Sequence, residues 1–144
     1  MKITQILEEY GSKPVTVPTH NTIGPQSHRL KLERTGSVII SNDGNTVEGI
    51  ITARDIVRAL STYGAELIDV PVTELMIKDV HACKHDDDAK TVMHRMSYWR
   101  VRYLPVMDGG KLVGVVNIRD LVKSCLIDAE METNVLRDFI VAAS

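Results

Sequence analysis

Aromatic side chains are scarce in this sequence: one Trp, one Phe and four Tyr, 4% of 144 residues. Such a chain lacks the stacked rings on which single-stranded nucleic acids lie. A cationic excess is missing as well, with 17 Lys and Arg against 19 Asp and Glu, a net charge of −2 and a pI near 6.2. That balance argues against general polyanion binding, which needs a basic surface. No apolar run is long enough to span a bilayer, and no charged-then-apolar leader opens the chain, so a cytoplasmic protein is expected. Cysteine is reduced to Cys83 and Cys125, which form no spaced framework and are read as reduced thiols. Also lacking are a nucleophile elbow, a P-loop and a recognisable pair of catalytic carboxylates, so the expectation is a protein that is not an enzyme.

What is present is an ordinary globular composition, 44% hydrophobic and 25% charged. The length suits one domain, or two small halves sharing a core. Ile3, Ile6, Leu7 and Tyr10 recur at helical spacing before Gly11. "PVTV" at Pro14–Val17 reads as a short strand, and Asn21 or Thr22 as the cap of a helix carrying Ile23, Leu30 and Leu32. A strand at Ser37–Ile40, a turn at Asn42–Asn45 and a strand at Val47–Thr52 follow, then a helix over Ala53–Tyr63 that stops at Gly64.

The second half repeats that order. Asp79–Cys83 reads as a strand, Ala89–Arg100 as a helix and Tyr103–Met107 as a strand. Asp108–Gly110 is a tight turn, Lys111–Asn117 the returning strand, and a helix begins at Ile118. Thr133–Ala143 reads as a last amphipathic helix. The repeat is explicit in "GIITARD" at Gly49–Asp55 and "GVVNIRD" at Gly114–Asp120, which lie 65 residues apart. A β-α-β-β-α unit leaves one apolar sheet face open, so two units packed together solve the burial problem of each. The expected fold is α/β (α+β by strict layering). Its expected divisions are an N-terminal helix at 1–12, repeats at 13–64 and 65–130, and a C-terminal helix at 131–144.

With "GSVIISNDGNTVEGIITARDIVRAL" in the first half and "VTELMIKDVHACKHDDDAKTVMHRM" leading into "RVRYLPVMDGGKLVGVVNIRDLVKSCL" in the second, the chain resembles a tandem pair of cystathionine-β-synthase (CBS) domains, a Bateman module. It is most similar to the small stand-alone bacterial proteins of that kind. The resemblance implies a non-catalytic regulatory module that binds AMP, ADP, ATP or an NAD-type dinucleotide between the repeats. It also implies a homodimer formed through helix faces and a regulated protein partner. No cofactor beyond the nucleotide is implied.

The same resemblance assigns residues. Gly49 and Gly114 would give close backbone approach to the ligand. Thr52 would meet phosphate at a helix N-terminus, Arg54 would pair with phosphate in a forked geometry, and Asp55 would accept from a ribose diol. In the second repeat Asn117, Arg119 and Asp120 stand at the matching positions. Arg100 and Arg102 precede "YLPV", and Arg102 is the residue expected to reach the phosphates. The base would lie near Val15 in one half and His81 in the other.

Two further readings of the residues stand beside these. Thr-x-x-Asp is also a capping box, which satisfies helix N–H groups without a ligand and does not exclude one. In "HACKHDDD", His81, Cys83 and His85 alternate, so an extended strand would place them on one side, with Asp86 available to complete a metal site. A module with degenerate pockets, serving only assembly, is the alternative that Asn117 and Arg119 favour.

Overall fold

The computed structural model describes residues 1–11, 13–32 and 36–143. The chain runs α1 (Ile3–Tyr10), β1 (Thr16–Val17), α2 (Ile23–Leu32), β2 (Ser37–Ile40), β3 (Gly49–Thr52) and α3 (Ala53–Tyr63). A 3-10 turn (Gly64–Asp69) and the one-turn helix α4 (Val72–Leu75) lead to β4 (Cys83–Lys84), α5 (Ala89–Trp99), β5 (Tyr103–Asp108), β6 (Lys111–Asn117) and α6 (Ile118–Ala143). Two three-stranded sheets result, in the orders β1-β2-β3 and β4-β5-β6. In each, the first pair is parallel and the second antiparallel, with Ser37 opposite Thr52 in one and Tyr103 opposite Asn117 in the other. This is the mixed α+β architecture that the repeat implied.

The period of two along each strand divides its side chains between two cores. Val38, Ile40 and Ile51 point into a cluster with Ile23, Leu30, Ile56 and Ala59 of the first half. Leu104, Val106 and Val116 do the same among Val92, Met96 and Leu121 of the second. The other faces meet: Ile39 and Ile50 pack with Leu112, Tyr103, Met107 and Val115 in a third cluster between the sheets. β2 is therefore buried on both faces, which is why Val38, Ile39 and Ile40 are apolar in succession.

Each half is completed by the segment that precedes the other half in the chain. α1 puts Ile3 and Ile6 into the second core, tied down by Ile3 N–H to Asp87 C=O and Thr4 N–H to His85 C=O, both 2.9 Å. Leu67, Val70 and Val72 of the 64–75 segment enter the first core, with Ile23 N–H bonded to Val70 C=O at 2.9 Å. The exchange explains two glycines. A Cβ on Gly49 would lie 2.5 Å from Met76 Sδ, and one on Gly114 would lie 2.7 Å from Leu7 Cδ2. The room at both positions is taken by these core side chains, not by space for a ligand.

Other expectations shift. β1 and β3 are shorter than their apolar runs; of the expected 79–83 strand only Cys83 pairs, with Val106, and the pairing continues to Lys84 opposite Met107. α5 stops at Trp99 because Arg100 turns left-handed. The two helices expected after Ile118 are one, since no Gly or Pro interrupts 118–143; Thr133 Oγ1 donates to Ala129 C=O at 2.9 Å instead of capping a new start. Among the described residues, no helix is long and apolar enough to cross a membrane.

Candidate functional site

The β3–α3 joint is set by a reciprocal cap. Thr52 is extended (φ −108°, ψ 162°), and its Oγ1 accepts from Asp55 N–H at 3.3 Å. Asp55 Oδ2 in return accepts from Thr52 N–H and Thr52 O–H, both at 2.9 Å. Ala53 N–H donates to Gly36 C=O at 3.0 Å, tying the joint to the start of β2. The helix end therefore offers little to a phosphate: of its first three amides, only Arg54 N–H lacks a partner among the described residues. Asp55 Oδ1 likewise takes no hydrogen bond among them and remains able to accept.

A cleft of about 310 Å³ opens above this joint. Thr52, Arg54, Asp55 and Arg58 form one wall, the segment from Arg100 to Tyr103 forms the other, and Ile50 and Ile77 add apolar surface. The two walls come from different repeats, so packing of the sheets creates the site. Gly36 sits where any side chain would collide with the Tyr103 ring. Among the described residues, four arginines, 54, 58, 100 and 102, thus surround a cleft with a single carboxylate. None of their four guanidinium groups forms an ion pair or hydrogen bond among the described residues.

Two features of those arginines cost stability. Arg54 and Arg58 are four apart on α3, a like-charge spacing that weakens a helix by roughly 0.2–0.5 kcal/mol. Arg100 has φ 58° and ψ 41°, the only non-glycine in the left-handed region among the described residues. A side chain with a Cβ costs about 1 kcal/mol there relative to glycine. Positive charge lines both walls of the cleft, an arrangement that attracts anions.

Thr52, Arg54, Asp55 and Arg102 are brought together as the sequence implied, whereas Val15 and His81 do not line the cleft. Val15 packs against the first core, and its C=O accepts from Ile39 N–H at 2.8 Å. His81 lies outside any strand, its ring stacked on Trp99 with centroids 3.9 Å apart and planes 6° apart. Asn117, Arg119 and Asp120 belong to the second joint. There Asn117 Oδ1 accepts from Arg119 N–H at 2.9 Å, and Asp120 forms no return bond to residue 117. Arg58, Ile77 and Tyr103 were not singled out in the sequence; the i, i+4 spacing from Arg54 was the available signal for Arg58.

The alternating His-Cys-His does not gather. Cys83 is in the second core, where burial pushes its thiol up to about 12. His85 Nε2 meets Asp108 Oδ1 at 3.2 Å and its Nδ1 lies 3.3 Å from Thr4 Oγ1. Among the described residues, no three His, Cys, Asp or Glu side chains are placed to hold a metal ion.

Comparison with known proteins defines the class. The CBS domain model matches the chain twice, at residues 7–62 and 72–126, and the protein belongs to the CBS domain family as a tandem pair. It is similar to an uncharacterised 17.7 kDa protein of Acidianus ambivalens, 36% identical over 87% of this chain and 73% of that one. CBS domain-containing proteins of Arabidopsis thaliana are 27% identical over 92% of this chain, which spans only 24% of their length. A CBS-domain containing protein from Agrobacterium tumefaciens has the same fold, with TM-score 0.80, 31% identity, and coverage of 86% of this chain and 98% of that one. A CBS domain pair solved in complex with 5′-methylthioadenosine and S-adenosyl-L-methionine superposes with TM-score 0.73 at 24% identity, over 85% of this chain and 98% of that one. The relatives come from an archaeon, a plant and a bacterium, so the likeness carries no bacterial source.

Proposed function

We propose that this CBS pair is a non-catalytic cytoplasmic sensor of a phosphate-bearing adenine nucleotide, bound in the cleft between the β3–α3 joint and the Arg100–Tyr103 segment. The observation that carries the reading is the set of four unpaired guanidinium groups around one carboxylate among the described residues. Asp55 Oδ1 takes the ribose diol, while Ile77, Val101 and Tyr103 give the base an apolar bed. Arg54, Arg58, Arg100 and Arg102 take the phosphates, for which the guanidinium fork is suited. The neighbour that holds methylthioadenosine and S-adenosylmethionine supports an adenosine-type ligand. A sulfonium cation, however, is repelled by four guanidiniums, so ADP, ATP or an NAD-type dinucleotide fits this cleft better. Because the walls belong to different repeats, ligand biases how the repeats pack, and a homodimer or a protein partner reads that bias.

The second joint favours a different reading for its own half: an assembly surface whose pocket has degenerated. A thermal-shift panel with AMP, ADP, ATP, NAD, S-adenosylmethionine and methylthioadenosine tests the proposal. A ligand at 100 times its dissociation constant adds about 2.7 kcal/mol. The expected result is a rise with the phosphate-bearing nucleotides that grows from AMP to ATP. No rise with any of them, or a larger rise with S-adenosylmethionine, overturns it.

A further inference from the structure

After Asp128, α6 leaves the body of the protein, and every residue from Ala129 to Ala143 is exposed. That segment is not polar: Val135, Leu136, Phe139, Ile140 and Val141 are each 63–74% exposed. A projecting helix of this composition calls for a covering partner. Of those apolar residues, Leu136 and Ile140 fall with the exposed Leu126, Ala129, Thr133 and Ala143 at alternating steps of three and four, the seam of a two-helix coil, while Val135, Phe139 and Val141 lie to its sides. The small side chains of Ala129 and Thr133 leave a shallow groove flanked by Leu126, Glu130 and Arg137.

This seam is complementary to itself in one direction. Set antiparallel about a twofold axis between Asn134 and Val135, Leu126 faces the partner's Ala143, Ala129 the partner's Ile140, and Thr133 the partner's Leu136. Every layer then sets a bulky side chain against a small one. The parallel arrangement stacks Ala129 on Ala129 and Thr133 on Thr133, two thin layers in succession that leave a gap. The antiparallel register also sets Glu130 beside the partner's Arg137 and, by symmetry, Arg137 beside the partner's Glu130. Neither side chain has an ion pair in its own chain among the described residues. Seven positions apart on one helix, about 10 Å along the axis, they do not reach each other.

We infer that the distal half of α6 is a self-recognition surface: two copies of the chain pair their α6 helices antiparallel from Leu126 to Ala143, with two Glu130–Arg137 pairs fixing direction and register. The paired stretch is about 26 Å long. It is separate from the nucleotide cleft and stands or falls without it. Met131, 61% exposed on the side of the helix away from the seam, provides a control.

Sedimentation velocity over a concentration series tests the pairing, with circular dichroism confirming that each variant keeps its helix content. The wild-type chain is expected to form a concentration-dependent dimer. Glu130→Arg and Arg137→Glu each turn two attractions into two repulsions, and each is expected to weaken the dimer by about tenfold or more. The double variant exchanges the charges and is expected to recover the wild-type constant to within roughly threefold. Met131→Lys is expected to leave it unchanged. A chain that stays monomeric at the highest concentration overturns the inference. So do a dimer indifferent to both single reversals, a double variant that fails to recover, and a Met131→Lys variant as weak as the single reversals.

Discussion

Two joints built from one phrase behave differently. At Thr52–Asp55 the cap closes in both directions, and the carboxylate is held with one oxygen still open. At Asn117–Asp120 the amide side chain folds back on Arg119 N–H, and the carboxylate forms no return bond. Asp120 instead lies near Tyr10, whose phenol is raised by desolvation, by Glu9 and by Asp120. The surroundings differ as sharply. The first joint faces Arg100 and Arg102 across the cleft, while the residues 65 positions before those two are the uncharged Thr35 and Ser37; Thr35 is outside the described residues. Duplication preserves the backbone phrase because the sheet and helix need it. The charge around the phrase is free to diverge, and charge decides which anion a joint can hold.

The largest effect expected from breaking this contrast is on binding. Arg102→Glu should lower affinity for ATP about a hundredfold, since it removes a charge-assisted contact and adds a repulsion. Arg119→Glu at the other joint should change it less than about threefold, both read by calorimetry. Equal losses at both joints would erase the distinction between them.

Asp55→Ala comes next, removing the partner of Thr52 N–H and O–H together with the ribose acceptor. A loss of about 1 kcal/mol in chemical denaturation is expected, with at least about tenfold in affinity. Asp120→Ala, with no cap to lose, should stay within about 0.5 kcal/mol of wild type.

Arg100→Gly separates binding from folding. Relief of the left-handed strain and the added freedom of the unfolded glycine nearly cancel, so stability should stay within about 1 kcal/mol. Affinity for ATP should still fall about tenfold. A variant that keeps its affinity would show that Arg100 is held left-handed only to end α5.

The smallest effect concerns the hairpin loops. The second hairpin turns on Gly109 and Gly110, with φ 54° and 84°. The first has a longer loop organised by Asp43, which accepts from Asn45 N–H at 2.8 Å, Thr46 N–H at 2.6 Å and Thr46 O–H at 2.8 Å. Those bonds, the Thr46 amide first, hold its carboxyl far below the usual range. A lowered folded-state pKa means that the stabilisation is present above the ordinary carboxylate pKa of about 4 and is lost as pH falls below it. Asp43→Asn should flatten the decline of the melting temperature below about pH 4, and an unchanged slope would remove Asp43 from the acid response.

Much of the fold was legible because local pattern and long-range packing agree. Two copies of Gly-h-h-x-x-Arg-Asp, each after a buried strand and a turn, specify two sheets and the joints between them. What stayed hidden depends on distant contacts. Leu7 and Met76 fill the room at Gly114 and Gly49 from the opposite half, and nothing near either glycine announces that. The apolar neighbours of His81 predict a strand, but strand pairing begins only at Cys83 and the imidazole stacks on Trp99. In the cleft, Thr52, Arg54, Asp55 and Arg102 could be read from motif positions. Arg58 and the left-handed Arg100 gain their meaning only when α3 and the end of α5 face each other.

The central claim is that the first cleft is an anion site for an adenine nucleotide. The most direct test is a calorimetric titration of the chain with ATP at low and at high salt, beside the same titration of the Arg54→Ala, Arg102→Ala double variant. Tight, salt-weakened binding that the double variant loses is the result expected. Undetectable ATP binding by the wild-type chain, or binding that survives loss of both arginines, would contradict the claim.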